Sequence, residues 1–209
     1  MKNVFPNLLI IVLFTLTTQL ISQETNKKEI IMSTKIATFG SGCFWCTEAI
    51  FSRLDGVEKV EPGFTGGETK DPMYNEVVSG TTGHAEVAQI TYNPDIVSFS
   101  TLLEIFWKTH DPTTLNRQGA DVGTQYRSAI FFHDKEQENL AREYMKALDS
   151  AKIWNNPIIT EIVPLEVFYP AEDYHNDYYK NNPTNSYCNF VITPKVEKFE
   201  KVFGDRLKK

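Results

Sequence analysis

Short segments with strand or helix character follow one another from residue 34 onward, separated by turn residues at short intervals. Their order is mixed and does not repeat a strict strand–helix–strand unit, and neither an internal repeat nor a low-complexity tract interrupts them. Such a pattern is typical of one domain in which helices cover a sheet. We therefore predict an α+β two-layer sandwich over residues 34–209.

The individual elements are predicted from polarity patterns and turn residues. Strands are predicted over residues 35–39, 57–64, 84–92, 127–132 and 158–163. Helices are predicted from Cys43 to Gly56, over 102–108 behind a capping box at Thr101 and Glu104, from Asp134 to 152, and over 172–180. In the third strand, Glu86 alternates in step with Ala88, Ile90 and Tyr92.

The first 33 residues differ from the rest. An apolar run over residues 8–14 is followed by small and mixed residues up to Ser22, which is typical of a secretory signal peptide and too short to span a membrane. We predict a signal peptide over 1–22, a polar linker over 23–33, and an exported (periplasmic or secreted) protein without stable membrane association. Translation from Met32 is the alternative and would give a cytoplasmic protein.

Charge and cysteine content exclude several functions. The formal net charge of −6 gives no reason to expect nucleic acid as a partner. Three cysteines are too few for a disulfide scaffold, and no pair of the four histidines has metal-ligand spacing. We expect neither a metal nor a cofactor, and any role of the cysteines is then chemical.

The segment from Gly40 to Glu48 carries the densest chemical signal. Its glycines permit a sharp turn after the first strand, and Cys43 then falls at the start of a helix. Unpaired N–H groups and the helix dipole at such a position favour the reactive thiolate. From local sequence alone, a buried cysteine flanked by the core aromatics Phe44 and Trp45 remains an equal alternative.

The spacing of Cys43 and Cys46 admits three interpretations. A thioredoxin-like redox pair normally has a small or proline-containing dipeptide between its cysteines, unlike the two aromatics here. A zinc site with four cysteines is impossible with three, and no histidine lies nearby. A nucleophile with its own resolving thiol fits best.

The motif Gly42-Cys43-Phe44-Trp45 with Glu48 resembles the signature of the A-type peptide methionine sulfoxide reductases. Further motifs that resemble this family follow in order: Gly66-Gly67, Tyr74-Asn75-Glu76-Val77-Val78-Ser79-Gly80, Thr82-Gly83-His84-Ala85-Glu86, His110-Asp111-Pro112-Thr113, Gln118-Gly119-Ala120-Asp121-Val122-Gly123-Thr124-Gln125-Tyr126-Arg127-Ser128, Ala171-Glu172-Asp173-Tyr174-His175, Asn182-Pro183 and Tyr187-Cys188. The resemblance covers roughly residues 35–199 and implies a ferredoxin-like core with the active site around Cys43.

The resemblance also implies roles for single residues. Cys43 would attack the sulfoxide sulfur while Glu86, a buried acid of raised pKa, protonates the oxygen. The phenols of Tyr74 and Tyr126 would donate hydrogen bonds to that oxygen. Roles are further implied for Asp121, which would orient the site, and for Phe44 and Trp45, which would hold the S-methyl group. Without the resemblance, these residues suggest only a solvated glutamate, core tyrosines, a turn aspartate and core aromatics.

The chain departs from the family pattern at Cys46, where most members carry glycine. The resemblance implies that a second thiol condenses with the Cys43 sulfenic acid, and that a thioredoxin-type donor reduces the resulting disulfide. Cys46 is the nearer partner, and Cys188 lies in the segment where many relatives place a recycling cysteine. We expect a monomeric enzyme acting on methionine S-sulfoxide, free or in proteins.

Two functions of other classes stay open from the sequence. A general thiol–disulfide oxidoreductase would use Cys43 and Cys46 on protein disulfides and would not need Glu86. A binding module of the same fold would have lost the nucleophile or the acid, and this chain retains both.

Overall fold

The structure, a computed structural model, describes residues 34–209, and the predicted signal peptide and linker lie outside this range. The strands are β1 (Lys35–Ser41), β2 (Val57–Thr65), β3 (Ala85–Tyr92), β4 (Arg117–Gln118), β5 (Asp121–Val122), β6 (Ser128–Phe132), β7 (Glu161–Pro164) and β8 (Tyr169–Pro170). The helices are α1 (Phe44–Phe51), α2 (Tyr74–Val78), α3 (Phe99–Thr109), α4 (Lys135–Ser150), α5 (Tyr178–Asn181) and α6 (Thr193–Phe203). In none of these helices is the apolar stretch long enough to cross a membrane.

Six strands form one sheet in the order β7-β6-β1-β3-β2-β8. Neighbouring strands are antiparallel except β6 and β7, which are parallel. The four central strands, with α1 between β1 and β2 and α3 between β3 and β6, have the order of the ferredoxin-like fold. The predicted α+β sandwich with a ferredoxin-like core is therefore confirmed.

The main core lies between the sheet and the helices α1 and α3. Phe39 of β1 contacts Phe51 of α1 and both Phe99 and Phe106 of α3, with ring centroids 5.0–6.0 Å apart. Ile90 and Tyr92 of β3 belong to the same buried cluster. Because residues 86, 88, 90 and 92 point to one face of β3, Glu86 also faces the helix layer.

Helix α1 is buried on almost every side. It packs on β2 and β3 along one side and on α5 and α6 along the other. Seven of its eight residues are buried, although a helix at a protein surface would keep one polar face. Any polar side chain on α1 is thereby removed from water and needs a partner inside the protein.

Three predicted elements need correction. Helix α3 begins at Phe99 and not at residue 102, because Ser98 is its cap and accepts a hydrogen bond from the Thr101 N–H group. The strand predicted over 158–163 forms only at Glu161–Pro164, where it pairs with β6. The helix predicted over 172–180 is two short turns, interrupted at Asp177 by a left-handed backbone. Helix α6 had no counterpart in the sequence prediction.

Candidate active site

The strand–turn–helix junction predicted around Cys43 is present. Gly42, which follows β1, has a φ of +92°, and a Cβ atom at this position would lie 2.6 Å from the side chain of Gln118. Cys43 is the N-cap of α1, and its carbonyl oxygen accepts from the N–H groups of Cys46 and Thr47. The glycine is required here both by its backbone conformation and by the close approach of Gln118.

The sequence predicted that the helix start stabilises a Cys43 thiolate, and this prediction is wrong for the structure without substrate. The first free N–H group of α1, at Phe44, donates to Glu86 Oε2 at 3.1 Å and not to the sulfur. Burial raises the pKa of Cys43 well above its usual value, and the thiol of Cys46 and the carboxyl of Glu86 raise it further. The neighbouring side chain of Tyr187 acts in the opposite direction and lowers the pKa of Cys43. The Cys43 thiol is therefore protonated at neutral pH.

Glu86 supplies the buried carboxyl group of the site. Its side chain is 1% exposed, and within residues 34–209 its Oε1 atom has no hydrogen-bond partner. Burial raises the pKa of Glu86 to about 8, although the hydrogen bond from Phe44 favours the charged form. At pH 7 the carboxyl group is mostly neutral and can donate a proton from beside Cys43.

Aromatic rings surround the start of α1. The fully buried Phe44 ring lies between Phe64 and Tyr74, with centroids 5.7 and 6.1 Å away. Trp45 is half-buried, and its ring centroid lies 6.5 Å from that of Tyr74. Phe44 thus supports the wall of the site from behind, whereas Trp45 and Tyr74 reach the accessible side.

Two residues that the sequence analysis did not select hold Trp45 in place. Its indole N–H group donates to Nδ1 of the buried His175 at 3.0 Å. The ring of Tyr178 stacks on the indole with centroids 3.7 Å apart and an angle of 6° between the planes. The orientation of Trp45 is therefore fixed by residues from the far end of the chain.

The structure places the two remaining predicted residues, Tyr126 and Asp121, beside the cysteines. Tyr126 packs against the cluster that contains Cys43, and burial raises its pKa, so its phenol stays neutral. Asp121 accepts a hydrogen bond of 2.6 Å from the hydroxyl of Tyr187. Tyr187 packs against the cluster that contains Cys43 and lowers the pKa of its thiol, so Asp121 orients a group beside Cys43. The sequence analysis noted Tyr187 only as the neighbour of Cys188.

All three cysteines are free, buried thiols of one apolar cluster. The thiol of Cys43 and the charge of Lys195 lower the pKa of Cys46 to about 7, against the opposing effect of burial. Lys195 Nζ lies 3.7 Å from Cys46 Sγ. Cys188 begins a π-helical turn that leads into α6, and it is fully buried.

Glu48, part of the sequence motif but without an assigned role, lies in the second layer. It is buried, and its Oε1 atom accepts a hydrogen bond of 2.8 Å from the N–H group of Asp177. Burial raises the pKa of Glu48 to about 7. Glu48 therefore holds the backbone turn that presents the ring of Tyr178 to Trp45.

The functional groups gathered at this site determine which reactions it can carry out. The site has a thiol that can supply an electron pair, a neutral carboxyl that can supply a proton, and phenol donors for a developing negative charge. Two further thiols can take part in sulfur exchange. Such a set fits the reduction of a polar sulfur–oxygen bond.

Comparisons with known proteins agree with this chemistry. Residues 35–207 match the protein family described as peptide methionine sulfoxide reductase. The chain is 52% identical over 174 residues to peptide methionine sulfoxide reductase MsrA of Saccharolobus solfataricus, which covers 83% of this chain and 97% of that protein. The corresponding protein of Deinococcus radiodurans is 53% identical, over 82% of this chain and 84% of its own length.

Two solved structures are also similar. The crystal structure of Mxr1 from Saccharomyces cerevisiae in reduced form has a TM-score of 0.67 and 36% sequence identity, over 74% of this chain and 89% of that chain. Methionine sulfoxide reductase A of Corynebacterium diphtheriae has a TM-score of 0.66 and 36% identity, over 73% and 76% of the two chains.

Proposed function

Because the chain belongs to the peptide methionine sulfoxide reductase family, we propose that it reduces methionine S-sulfoxide, free or in proteins, with Cys43 as the nucleophile. The observation that carries this proposal is the pair formed by Cys43 and Glu86. Both are buried, and the peptide N–H group that follows Cys43 holds the neutral carboxyl beside it. A nucleophile next to a proton donor is what cleavage of a sulfur–oxygen bond requires.

The reductive step proceeds from the Cys43 thiolate, formed when the thiol gives its proton to water as the substrate enters the site. The sulfur attacks the sulfoxide sulfur, and Glu86 donates its proton to the oxygen. The oxygen passes to Cys43, which becomes a sulfenic acid, and methionine leaves with its sulfur reduced. Glu86 is left as a carboxylate.

The pocket holds the substrate on both sides of the reacting sulfur. Tyr74 and Tyr126 remain neutral because burial raises the pKa of each phenol, so both can donate to the sulfoxide oxygen. The indole of Trp45, supported by Phe44, contacts the S-methyl group. Burial of one methyl group contributes about 0.8 kcal/mol, so this contact orients the substrate more than it binds it.

Two further thiols return the enzyme to its starting state. Cys46 captures the Cys43 sulfenic acid first, because the two thiols share one buried cluster and lie three residues apart at the start of α1. Cys188 belongs to the same apolar cluster, and the charge of Cys46 raises its pKa, so Cys188 lies beside Cys46. Cys188 then attacks the Cys43–Cys46 disulfide, which releases Cys43 and leaves a Cys46–Cys188 disulfide. A thioredoxin-like reductant then reduces the final disulfide by thiol exchange.

Turnover of the two separated methionine sulfoxide epimers, with a chemical dithiol as reductant, tests the proposed function. We expect methionine to form from the S epimer and not from the R epimer. Reduction of an insulin-like protein disulfide, without reduction of either epimer, would contradict the proposal and favour a general thiol–disulfide oxidoreductase.

The order of the two resolving thiols has a separate test. After one equivalent of substrate, the Cys188→Ser protein should contain a Cys43–Cys46 disulfide, which mass spectrometry of its peptides identifies. A stable sulfenic acid at Cys43 in this variant would instead make Cys188 the first partner.

For the location of the protein, the proposal rests on residues 1–22 alone, which have the composition of a signal peptide. The mature protein would then begin near Gln23 outside the cytoplasm. N-terminal sequencing of protein from the native host decides this, and a soluble cytosolic chain that starts at Met1 or Met32 would contradict export.

A further inference from the structure

We propose that Lys195 is a catalytic residue of the recycling half of the reaction, where its ammonium group stabilises Cys46 as the thiolate that attacks the Cys43 sulfenic acid. This inference rests on the proposed function and deepens it. It concerns the second step, in which the enzyme's own sulfur chemistry takes place, and leaves the reduction of the substrate to Cys43 and Glu86.

The ammonium group of Lys195 lies next to the sulfur of Cys46. Lys195 Nζ lies 3.7 Å from Cys46 Sγ, and Cys46 is only 3% exposed. None of the ion pairs formed within residues 34–209 includes Lys195. Its charge is therefore not neutralised by a carboxylate. Because the Cys46 sulfur is buried, water has little access to it and cannot stabilise the thiolate in place of Lys195.

The fold explains why this lysine reaches the sulfur. Lys195 lies in the first turn of α6, directly after the π-helical turn that starts at Cys188. Ile192 and Val196 of the same segment pack on α1 in the cluster that contains Cys46. The element that brings Cys188 to the site therefore also brings the cation.

Other charged and titratable groups around Cys46 do not replace Lys195. The groups whose charges or hydrogen bonds act on Cys46 are Cys43, Glu86, Asp121, Tyr187, Cys188 and Lys195. Lys195 is the cation of this set. Asp121 and burial both raise the pKa of Cys46, whereas the pKa is lowered to about 7 by Cys43, Lys195 and Tyr187. When Cys43 carries the sulfenic oxygen, the thiol that lowered the pKa of Cys46 is gone, and the adjacent Lys195 becomes the principal stabilising group.

The chemical step balances without an outside oxidant. The Cys46 thiolate attacks Cys43 Sγ, a sulfur–sulfur bond forms, and the sulfur–oxygen bond of the sulfenic acid breaks. The hydroxide leaves as water with the proton that Cys46 gave up. Cys46 is oxidised and Cys43 is reduced, so the oxidising equivalent that came from the substrate now resides in the disulfide.

The test uses the full chain with Cys188→Ser, so that Cys46 is the partner of Cys43, and compares Lys195→Met with Lys195→Arg. Lys198→Met is the matched control, because Lys198 is on the same helix but exposed. Ultraviolet absorbance of the thiolate against pH gives the Cys46 pKa without substrate. Rapid mixing with one equivalent of sulfoxide then gives methionine release and disulfide formation separately.

We expect Lys195→Met to raise the pKa of Cys46 by about one unit, which lowers the thiolate fraction and slows disulfide formation roughly fivefold near pH 7. Methionine release should remain, the sulfenic acid should accumulate, and the defect should shrink as the pH rises. Lys195→Arg and Lys198→Met should behave like the parent.

An unchanged thiolate titration in Lys195→Met, or an unchanged rate of disulfide formation at neutral pH, would overturn the inference. Absence of methionine release from every protein, the parent included, would instead refute the proposed function. The titration would still decide the role of Lys195 in that case, because it needs no substrate.

Discussion

The backbone N–H group of Phe44 joins the two residues that matter most at the site. It donates to Glu86 Oε2, and the residue before it is Cys43, the proposed nucleophile. The same N–H group would otherwise be one of the free donors at the start of α1. The helix start therefore positions the carboxyl group of Glu86 and does not stabilise the thiolate, whereas the neighbouring Tyr187 side chain lowers the pKa of Cys43.

The first prediction concerns Glu86 as a neutral acid. Glu86→Gln keeps the size of the side chain but cannot transfer a proton, so the reductive step should slow by roughly 10²–10⁴-fold. Since the carboxyl is the active form only while protonated, its contribution in the wild type should be lost as the pH rises through about 8. Single-turnover release of methionine across this pH range measures both effects.

Glu197 provides the control, since it is exposed and has no assigned role, and Glu197→Gln makes the same chemical change. A Glu86→Gln rate within a factor of two of the wild type would show that Glu86 is only structural.

At the scale of single residues, the sequence predicted which residues form the site better than it predicted their burial and their hydrogen-bond partners. The alternation of β3 placed Glu86 in step with Ile90 and Tyr92, which are buried, yet without the family resemblance the sequence suggested a solvated glutamate. The hydrogen bonds of Trp45 with His175 and of Asp121 with Tyr187 could not be predicted, because each joins segments separated by more than sixty residues.

At the scale of elements, the junction from β1 through Gly42 to α1 is what delivers Cys43. Gly42 has a positive φ, and a methyl group there would collide with the Gln118 side chain. Gln118 is itself fixed, since it both accepts from and donates to the backbone of Asp111. The neighbour therefore has little freedom to move away.

We predict that Gly42→Ala lowers the free energy of unfolding by about 1–3 kcal/mol and displaces Cys43, so that the reductive step slows as well. Gly204→Ala is the matched control, because Gly204 has ordinary helical backbone angles and nothing lies within 4 Å of its would-be Cβ atom. Denaturant unfolding and single-turnover kinetics of both variants test this. Equal stability and activity in the two variants would contradict the role of the turn.

Elements were predictable where the local pattern was strong. Helix α4 begins behind Asp134, whose side chain accepts from the Gln137 N–H group as the sequence indicated. Helix α6 was missed, although Pro194 in its first turn is typical of a helix start, because a π-helical turn runs directly into it and leaves no capping residue. The segment around Asp177 was predicted as one helix, and the interruption at Asp177 was missed. Its left-handed backbone accompanies a tertiary contact with Glu48, which the local sequence does not reveal.

At the scale of the whole molecule, residues near both ends of the domain complete one site. Helix α1 supplies Cys46 and Glu48, whereas Lys195, Cys188 and Tyr178 come from the last segments of the chain. The C-terminal segments bury α1 and thereby set the pKa of its polar groups. Folding of the last thirty or so residues is consequently part of forming the site.

Burial of Glu48 has a consequence for stability. Its pKa is raised from 4.5 to about 7 in the folded protein, so between these values the folded state binds more protons than the unfolded state. The stabilisation is fully present below pH 4.5 and is lost as the pH rises to about 7. The slope from one such group cannot exceed about 1.4 kcal/mol per pH unit.

We therefore predict that the free energy of unfolding of the wild type, relative to Glu48→Gln, falls as the pH rises from about 4.5 to 7. Glu58→Gln is the control, because Glu58 is exposed and its removal should leave the pH dependence unchanged. Parallel pH profiles for the wild type and Glu48→Gln would contradict the account of Glu48.

The most direct test of the central claim is the yield of methionine in a single turnover without added reductant. Cys43→Ser should give none, whereas Cys46→Ser and Cys188→Ser should each give about one equivalent per protein, since the reductive step needs only the nucleophile. Full methionine yield from Cys43→Ser would contradict the assignment of Cys43 and with it the mechanism built on this site.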